Sequence, residues 1–173
     1  DRSRGLGDVY KRQMDMPLTM KNKLIVSITG QLMSNELLNS VREDEGAAYS
    51  PYSVGYIDRT YKDNATIQTS FGLNPDKYKT SETATIKSLE KLSKDIPVAE
   101  LKKMQEYMLK SYDENIVENG YWLGVLESYV VDGEDMYTGY KKAVEELTVG
   151  DIENFVDKLI KSENRFEILM LPE

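Results

Sequence analysis

The sequence predicts an α+β fold: an antiparallel sheet covered by helices on one face. Three observations carry this. A helical stripe is followed by two adjacent strand-like runs, then by a long series of helical patterns, and one more strand-like run closes the chain. Strands and helices are grouped rather than alternating, which favours an antiparallel sheet over a parallel one. The length of 173 residues suggests one domain, or one and a fraction, and 40% hydrophobic residues are enough for a core.

The first strong period runs from Lys21 to Glu45. Leu24, Ile28, Leu32, Leu37 and Val41 form a stripe that Ile25, Met33 and Leu38 widen, so this is a helix packed on one broad face. Gly46 supplies its stop, because glycine takes the left-handed conformation cheaply. Ala47 to Tyr61 is rich in Tyr, Val and Ile and reads as a strand, with Pro51 marking an edge or a bulge. Lys62, Asp63 and Asn64 form a polar turn. Ala65, Ile67, Thr69, Phe71 and Leu73 then alternate with polar residues, a half-buried second strand that makes a hairpin with the first.

Asn74, Pro75 and Asp76 are a helix start, with a cap, a proline at the first position and an acid in the first turn. That helix runs to about Lys94 with Ile86, Leu89 and Leu92 inward. Pro97 opens the next, whose buried face is Leu101, Met104, Met108, Tyr112 and Ile116; Asn119 and Gly120 interrupt it. Tyr121 to Val131 is a short apolar helix, Asp132 to Asp135 a loop, and Tyr137 to Glu146 another short helix. Thr148 and Asp151 resemble a capping box with Asp in place of Glu. Val149, Ile152, Phe155, Val156, Leu159 and Ile160 form the face of the helix behind it. Arg165 to Leu171 is the closing strand, ended by Pro172.

Residues 1–13 carry three arginines, two glycines and no apolar period, and LGDVYKRQ within them looks like a translated sequencing adaptor. They are read as a non-native leader outside the fold, leaving one domain over residues 14–173. The leader lacks the apolar core of a secretory signal, and Asp1 and Asp8 argue against a transit peptide. The three remaining strands make a thin sheet, which points to an N-terminal strand missing before Met14.

Charge and composition exclude several functions. With 22 Lys plus Arg against 30 Asp plus Glu, the net charge is -8, so a nucleic acid is not expected as partner. The chain has no cysteine and no histidine, which rules out disulfides, thiolate or imidazole zinc ligands and a histidine general base. No metal or cofactor site is expected in it. No apolar run approaches the roughly 20 residues that span a membrane.

The stretch from Val41 to Tyr56 carries the candidate chemistry. Arg42 and Tyr49 flank the turn at Gly46, 7 positions apart. Guanidinium offers a permanent fork of N–H donors and a phenol donates at neutral pH, so both suit a peptide carbonyl that is becoming an oxyanion. The plainer reading is that Arg42 complements a helix dipole beside Glu43, Asp44 and Glu45, and that Tyr49 is an ordinary strand aromatic. Tyr52 and Tyr56 are spaced for one face of the strand that holds Tyr49 if a bulge at Pro51 shifts its register by one, and they are expected to pack, with lining a site as the alternative. Tyr121, Trp122 and Leu123 are expected in the core, since tryptophan is largely buried on average. Glu43 to Glu45 diverge around a helix end, and Asp132 to Asp135 lack a calcium-loop pattern.

The motif Leu38-x-x-x-Arg42-Glu43-x-x-Gly46-x-x-Tyr49-Ser50 resembles the C-terminal domain of the insulinase/pitrilysin zinc metallopeptidases, the inverzincins. The likeness continues through Phe71-x-x-x-Pro75, the helix start at Pro97 to Leu101, Glu118-Asn119-x-x-Trp122-Leu123, Leu147-Thr148-x-x-Asp151-Ile152 and the strand before Pro172. It covers about Met14 to Glu173 and leans toward the bacterial pitrilysin-like subgroup. The resemblance implies a domain that carries no metal and helps enclose a peptide substrate. Arg42 would bind a substrate carbonyl and Tyr49 would hydrogen-bond the tetrahedral intermediate. Zinc, its water and the H-x-x-E-H motif would belong to an N-terminal catalytic peptidase domain, in the same chain or a separate subunit. It also implies a periplasmic or exported location. By itself this chain should not hydrolyse peptides. The alternative is a catalytically inactive structural or binding subunit of the same superfamily. A third reading, a free binding module, would be opposed by exposed apolar surface, since a domain cut from a larger enzyme should show an orphaned interface.

Overall fold

The computed structural model describes residues 6–40, 51–58, 63–73 and 78–170. In chain order the elements are β1 (Leu6–Asp15), α1 (Met20–Leu37), β2 (Tyr52–Asp58), β3 (Asn64–Leu73), α2 (Tyr78–Leu92), α3 (Val98–Asn115), α4 (Asn119–Asp132), α5 (Tyr140–Glu145), α6 (Val149–Lys161) and β4 (Arg165–Leu169). The described strands form one antiparallel sheet in the order β2-β3-β1-β4. The α+β class with helices on one face holds.

The first correction concerns the amino terminus. Residues 6–13, expected outside the fold, belong to β1, which sits inside the sheet and pairs with β3 from Leu6 to Asp15 and with β4 from Asp8 to Arg12. The boundary drawn at Met14 therefore falls within a strand, and the strand expected to be missing is this one. Strand pairing is made by backbone groups, which every residue of β1 supplies. The side chains concealed it, because the inward alternation passes through a charge. Tyr10 is 2% exposed, and the next inward residue is Arg12. Arg12 is accommodated because its Nε donates to the Tyr10 hydroxyl at 2.8 Å and a guanidinium N–H donates to the Ile160 carbonyl at 3.0 Å.

The core lies between the sheet and the helices α1, α2 and α6. Tyr10, Ala65, Ile67 and Phe71 supply its sheet side. α1 begins at Thr19, whose hydroxyl accepts from the Asn22 N–H at 3.2 Å. Its buried residues surround more of the helix than one stripe, including Val26, Thr29, Gly30 and Ser34, because sheet and helices pack on several sides of it. Beyond Leu37 it passes into a π turn through residues 38–40. α6 follows the predicted capping box: the Thr148 hydroxyl accepts from Asp151 N–H at 3.2 Å and the Asp151 carboxylate accepts from Thr148 N–H at 3.0 Å.

Candidate functional site

Arg42 and Tyr49 lie outside the described residues, as do Glu43, Asp44 and Glu45. The frame that carries them is described on both sides. α1 leads into the segment and β2 leads out of it, and the two elements are seated on each other backbone to backbone. A Cβ on Gly30 would lie 2.2 Å from the Gly55 nitrogen, and one on Gly55 would lie 1.8 Å from the Val26 carbonyl oxygen. Only glycine at both positions permits this approach.

Nearer the segment, the buried Ser34 hydroxyl accepts from the Ser53 N–H at 2.7 Å and donates to the Ser53 carbonyl at 2.9 Å. Thr69 Oγ1 donates to Ser53 Oγ at 3.3 Å, which ties the same point to β3. On the other flank Lys91 of α2 holds Glu36 at 2.8 Å. The described residues before and after the segment, in α1 and β2, are thus fixed to each other and to their neighbours, and precise placement of donors requires rigid supporting elements.

β2 presents Tyr52 and Tyr56 on the sheet face away from the helices, 59% and 38% exposed, which corrects the expectation that they pack. The register explains it, because Ser53, Gly55 and Ile57 take the inward positions and leave the tyrosines on the other side. Across the sheet one row reads Tyr52, Ser70, Val9, Ile168 and the next Val54, Gln68, Lys11, Phe166. Phe166 and Ile168 are also more than half exposed. This face therefore has apolar edges, and its middle carries Ser70, Gln68 and Lys11 beside Val9.

Tyr121, Trp122 and Leu123 are a third correction. α4 has no buried residue, and Leu123 is 69% exposed. The aromatic rings pack on one another instead of entering the core. Tyr112 stacks on Tyr140 at 5.0 Å between centroids, Tyr121 meets Tyr112 edge-on at 6.1 Å, and Trp122 lies 4.8 Å from Tyr137. The indole N–H donates to the Ile116 carbonyl at 2.8 Å. A hydrogen bond with Tyr137, helped by burial, pushes the Tyr112 phenol up to about 12. Burial also raises Tyr121 and Tyr140. These phenols stay protonated donors at neutral pH. Four tyrosines on separate elements gave no local signal of this cluster; only the packing of α3, α4 and α5 brings them together.

Asp132 to Asp135 form the expected turn: Gly133 closes α4 in the left-handed conformation, and Asp135 accepts from the N–H groups of Tyr137 and Thr138. Hydrogen bonds from Thr138 hold its carboxyl below the usual range. On β4, burial and the neighbouring Glu82 push Glu167 up. Zinc does not fit the donors of this chain. It has no histidine or cysteine, and the described residues bring no three carboxylates together at metal-binding distance. No described helix is long and apolar enough to cross a membrane.

Residues 11–108, more than half of the chain, match the family described as the peptidase M16 inactive domain. The chain belongs to the peptidase M16 family. The resemblance to the insulinase/pitrilysin metallopeptidases is thereby borne out, and the match begins within β1 and spans α1, the Arg42–Tyr49 segment, the hairpin and α2. Solved structures agree in fold. The periplasmic protease PqqL from Escherichia coli superposes with a TM-score of 0.83 at 18% identity, covering 99% of this chain and 20% of that one. The ferredoxin protease FusC, crystallised with Arabidopsis ferredoxin, superposes with a TM-score of 0.82 at 16% identity, covering 97% and 19%. An inactive peptidase domain from Bordetella parapertussis gives 0.75 at 16% identity, covering 99% and 96%. The chain spans about a fifth of the length of the two proteases. No curated protein matches the sequence.

Proposed function

We propose that this M16 inactive domain acts in proteolysis as the non-catalytic wall of a peptide chamber, contributing Arg42 and Tyr49 to a zinc site carried by another domain. The observation that carries this reading is the family match across the Arg42–Tyr49 segment, and the close seating of α1 on β2 through Gly30–Gly55 and Ser34–Ser53 supports it. Arg42 binds a substrate carbonyl, and Tyr49 donates to the oxyanion of the tetrahedral intermediate. The catalytic domain supplies zinc and the activated water; this chain has no histidine or cysteine to bind the metal.

The exposed side chains support a partner domain. Phe166 and Ile168 on β4, Met170 just beyond it, and Leu123, Leu126 and Val130 on α4 are each more than half exposed. A domain built to stand alone rarely leaves so much apolar surface uncovered. A periplasmic or exported location goes with the same reading.

The test is Tyr49→Phe in the polypeptide or complex that contains the catalytic domain. Loss of one preorganised oxyanion donor lowers kcat by about a hundredfold or more, roughly 3 kcal/mol of barrier, with the melting temperature unchanged. An unaltered kcat removes Tyr49 from the reaction.

A further inference from the structure

A cleft separates α4 from α3 and α5, and it is distinct from the Arg42–Tyr49 segment. Its volume is about 440 Å³, within the range of small-ligand sites. The rings of Tyr112, Tyr121 and Tyr140 line it, with Met108 at their side. Gly120 and Gly124 turn the facing side of α4 into bare backbone, and a Cβ at either would meet nothing within 4 Å. The space there is real, and a flat ring can enter between helix and tyrosines.

The polar groups define the other half of the ligand. No carboxylate lines the cleft, although the chain as a whole carries a net charge of -8. Lys23 stands at its edge, and its ammonium makes no ion pair among the described residues. Ser111 and Asn115 also line it, and their side chains make no hydrogen bond among the described residues. The nearby acids are engaged: Asp113 pairs with Lys141, and Asp132 accepts from Ser128. One unpaired cation and several neutral donors beside an aromatic wall make a site for a ring that carries a negative charge.

We propose that the cleft between α3 and α4 binds an aromatic carboxylate, with the ring against Tyr112, Tyr121 and Gly124 and the carboxylate at Lys23. Such a group is found at the free C-terminus of a peptide ending in an aromatic residue, or in a small aromatic acid. The inference stands apart from the chamber reading, since no part of it uses Arg42, Tyr49 or a catalytic domain.

The reporter is built in. Trp122 is the only tryptophan, and its ring lies 5.7 Å from that of Tyr121. The 173-residue chain is titrated with Ala-Ala-Ala-Phe, with its C-terminal amide and with 3-phenylpropionate, following Trp122 fluorescence and the amide resonances of Gly120 and Gly124. The free acids shift all three signals, and the amide binds about tenfold more weakly, the usual worth of one charged hydrogen bond. Lys23→Gln erases the difference between acid and amide. Gly124→Leu fills the cleft and abolishes binding, and Gly124→Ala weakens it, with the helical circular dichroism retained in each. A tetrapeptide that binds tenfold more tightly than phenylpropionate identifies a peptide C-terminus as the source; equal affinity identifies the small acid. Absence of any shift, an amide that binds as well as the acid, or unchanged binding in Gly124→Leu overturns the proposal.

Discussion

Helices α6 and α4 have nearly the same length and opposite fates. α6 is amphipathic: Ile152, Phe155, Val156 and Leu159 point one way and are buried, while Asp157, Lys158 and Lys161 stay near solvent. α4 is the more apolar of the two and buries nothing. Apolar composition therefore does not place a helix inside. A buried position requires an apolar stripe that matches a complementary surface, and α6 finds one against α1, α2 and β1. α4 meets α3 across a cleft and is held at its start by the tyrosine cluster and the Trp122–Ile116 hydrogen bond. Its outer face, with Leu126 and Val130, meets no complementary surface among the described residues.

The comparison can be broken most sharply at Phe155, which is 4% exposed. Phe155→Ala should cost about 3–5 kcal/mol in chemical denaturation, through lost burial and the cavity left behind. If it cost no more than a surface change, α6 would not be the core helix described.

A smaller effect is expected at the start of the same helix. Asp151 is subject to burial, which pushes its carboxyl up, but the Lys21 ammonium at 2.6 Å and the hydrogen bonds from Thr148 outweigh this and hold it below the usual carboxylate range. A carboxyl depressed in the folded state stabilises the fold above its unfolded pKa, and that contribution is lost as pH falls through the folded value. Asp151→Ala should therefore remove about 1 kcal/mol near neutrality, and progressively less in acid. A pH-independent difference between the two proteins would disconnect the carboxylate charge from helix stability.

The smallest effect belongs to α4. Leu126→Ser lies on its exposed face, and it should change the unfolding free energy of the isolated chain by no more than about 0.5 kcal/mol. In the assembly with a catalytic domain the same change should weaken association, provided this face is covered there. A loss of several kcal/mol in the isolated chain would mean that α4 is already packed.

Much of the fold was legible because its signals are local. The alternation of Ala65, Ile67, Thr69 and Phe71 marks β3, the stripe from Leu24 to Leu32 marks α1, and Thr148 with Asp151 marks the start of α6. The candidate pair Arg42 and Tyr49 was legible only as a motif. The close seating of α1 on β2 was not, because Gly30 and Gly55 lie 25 positions apart and a glycine says nothing about what approaches it.

The sequence by itself determined the class of the fold, the family and the lack of histidine and cysteine, because periodicity, motif spacing and residue inventory are properties of the chain read in line. The tertiary structure decided where β1 goes, which face of β2 carries Tyr52 and Tyr56, and that the apolar α4 is exposed. Those outcomes depend on partners distant in sequence. β1 is held by backbone pairing with β3 and β4, the tyrosines by the register of the sheet, and α4 by the lack of a complementary surface within the described residues.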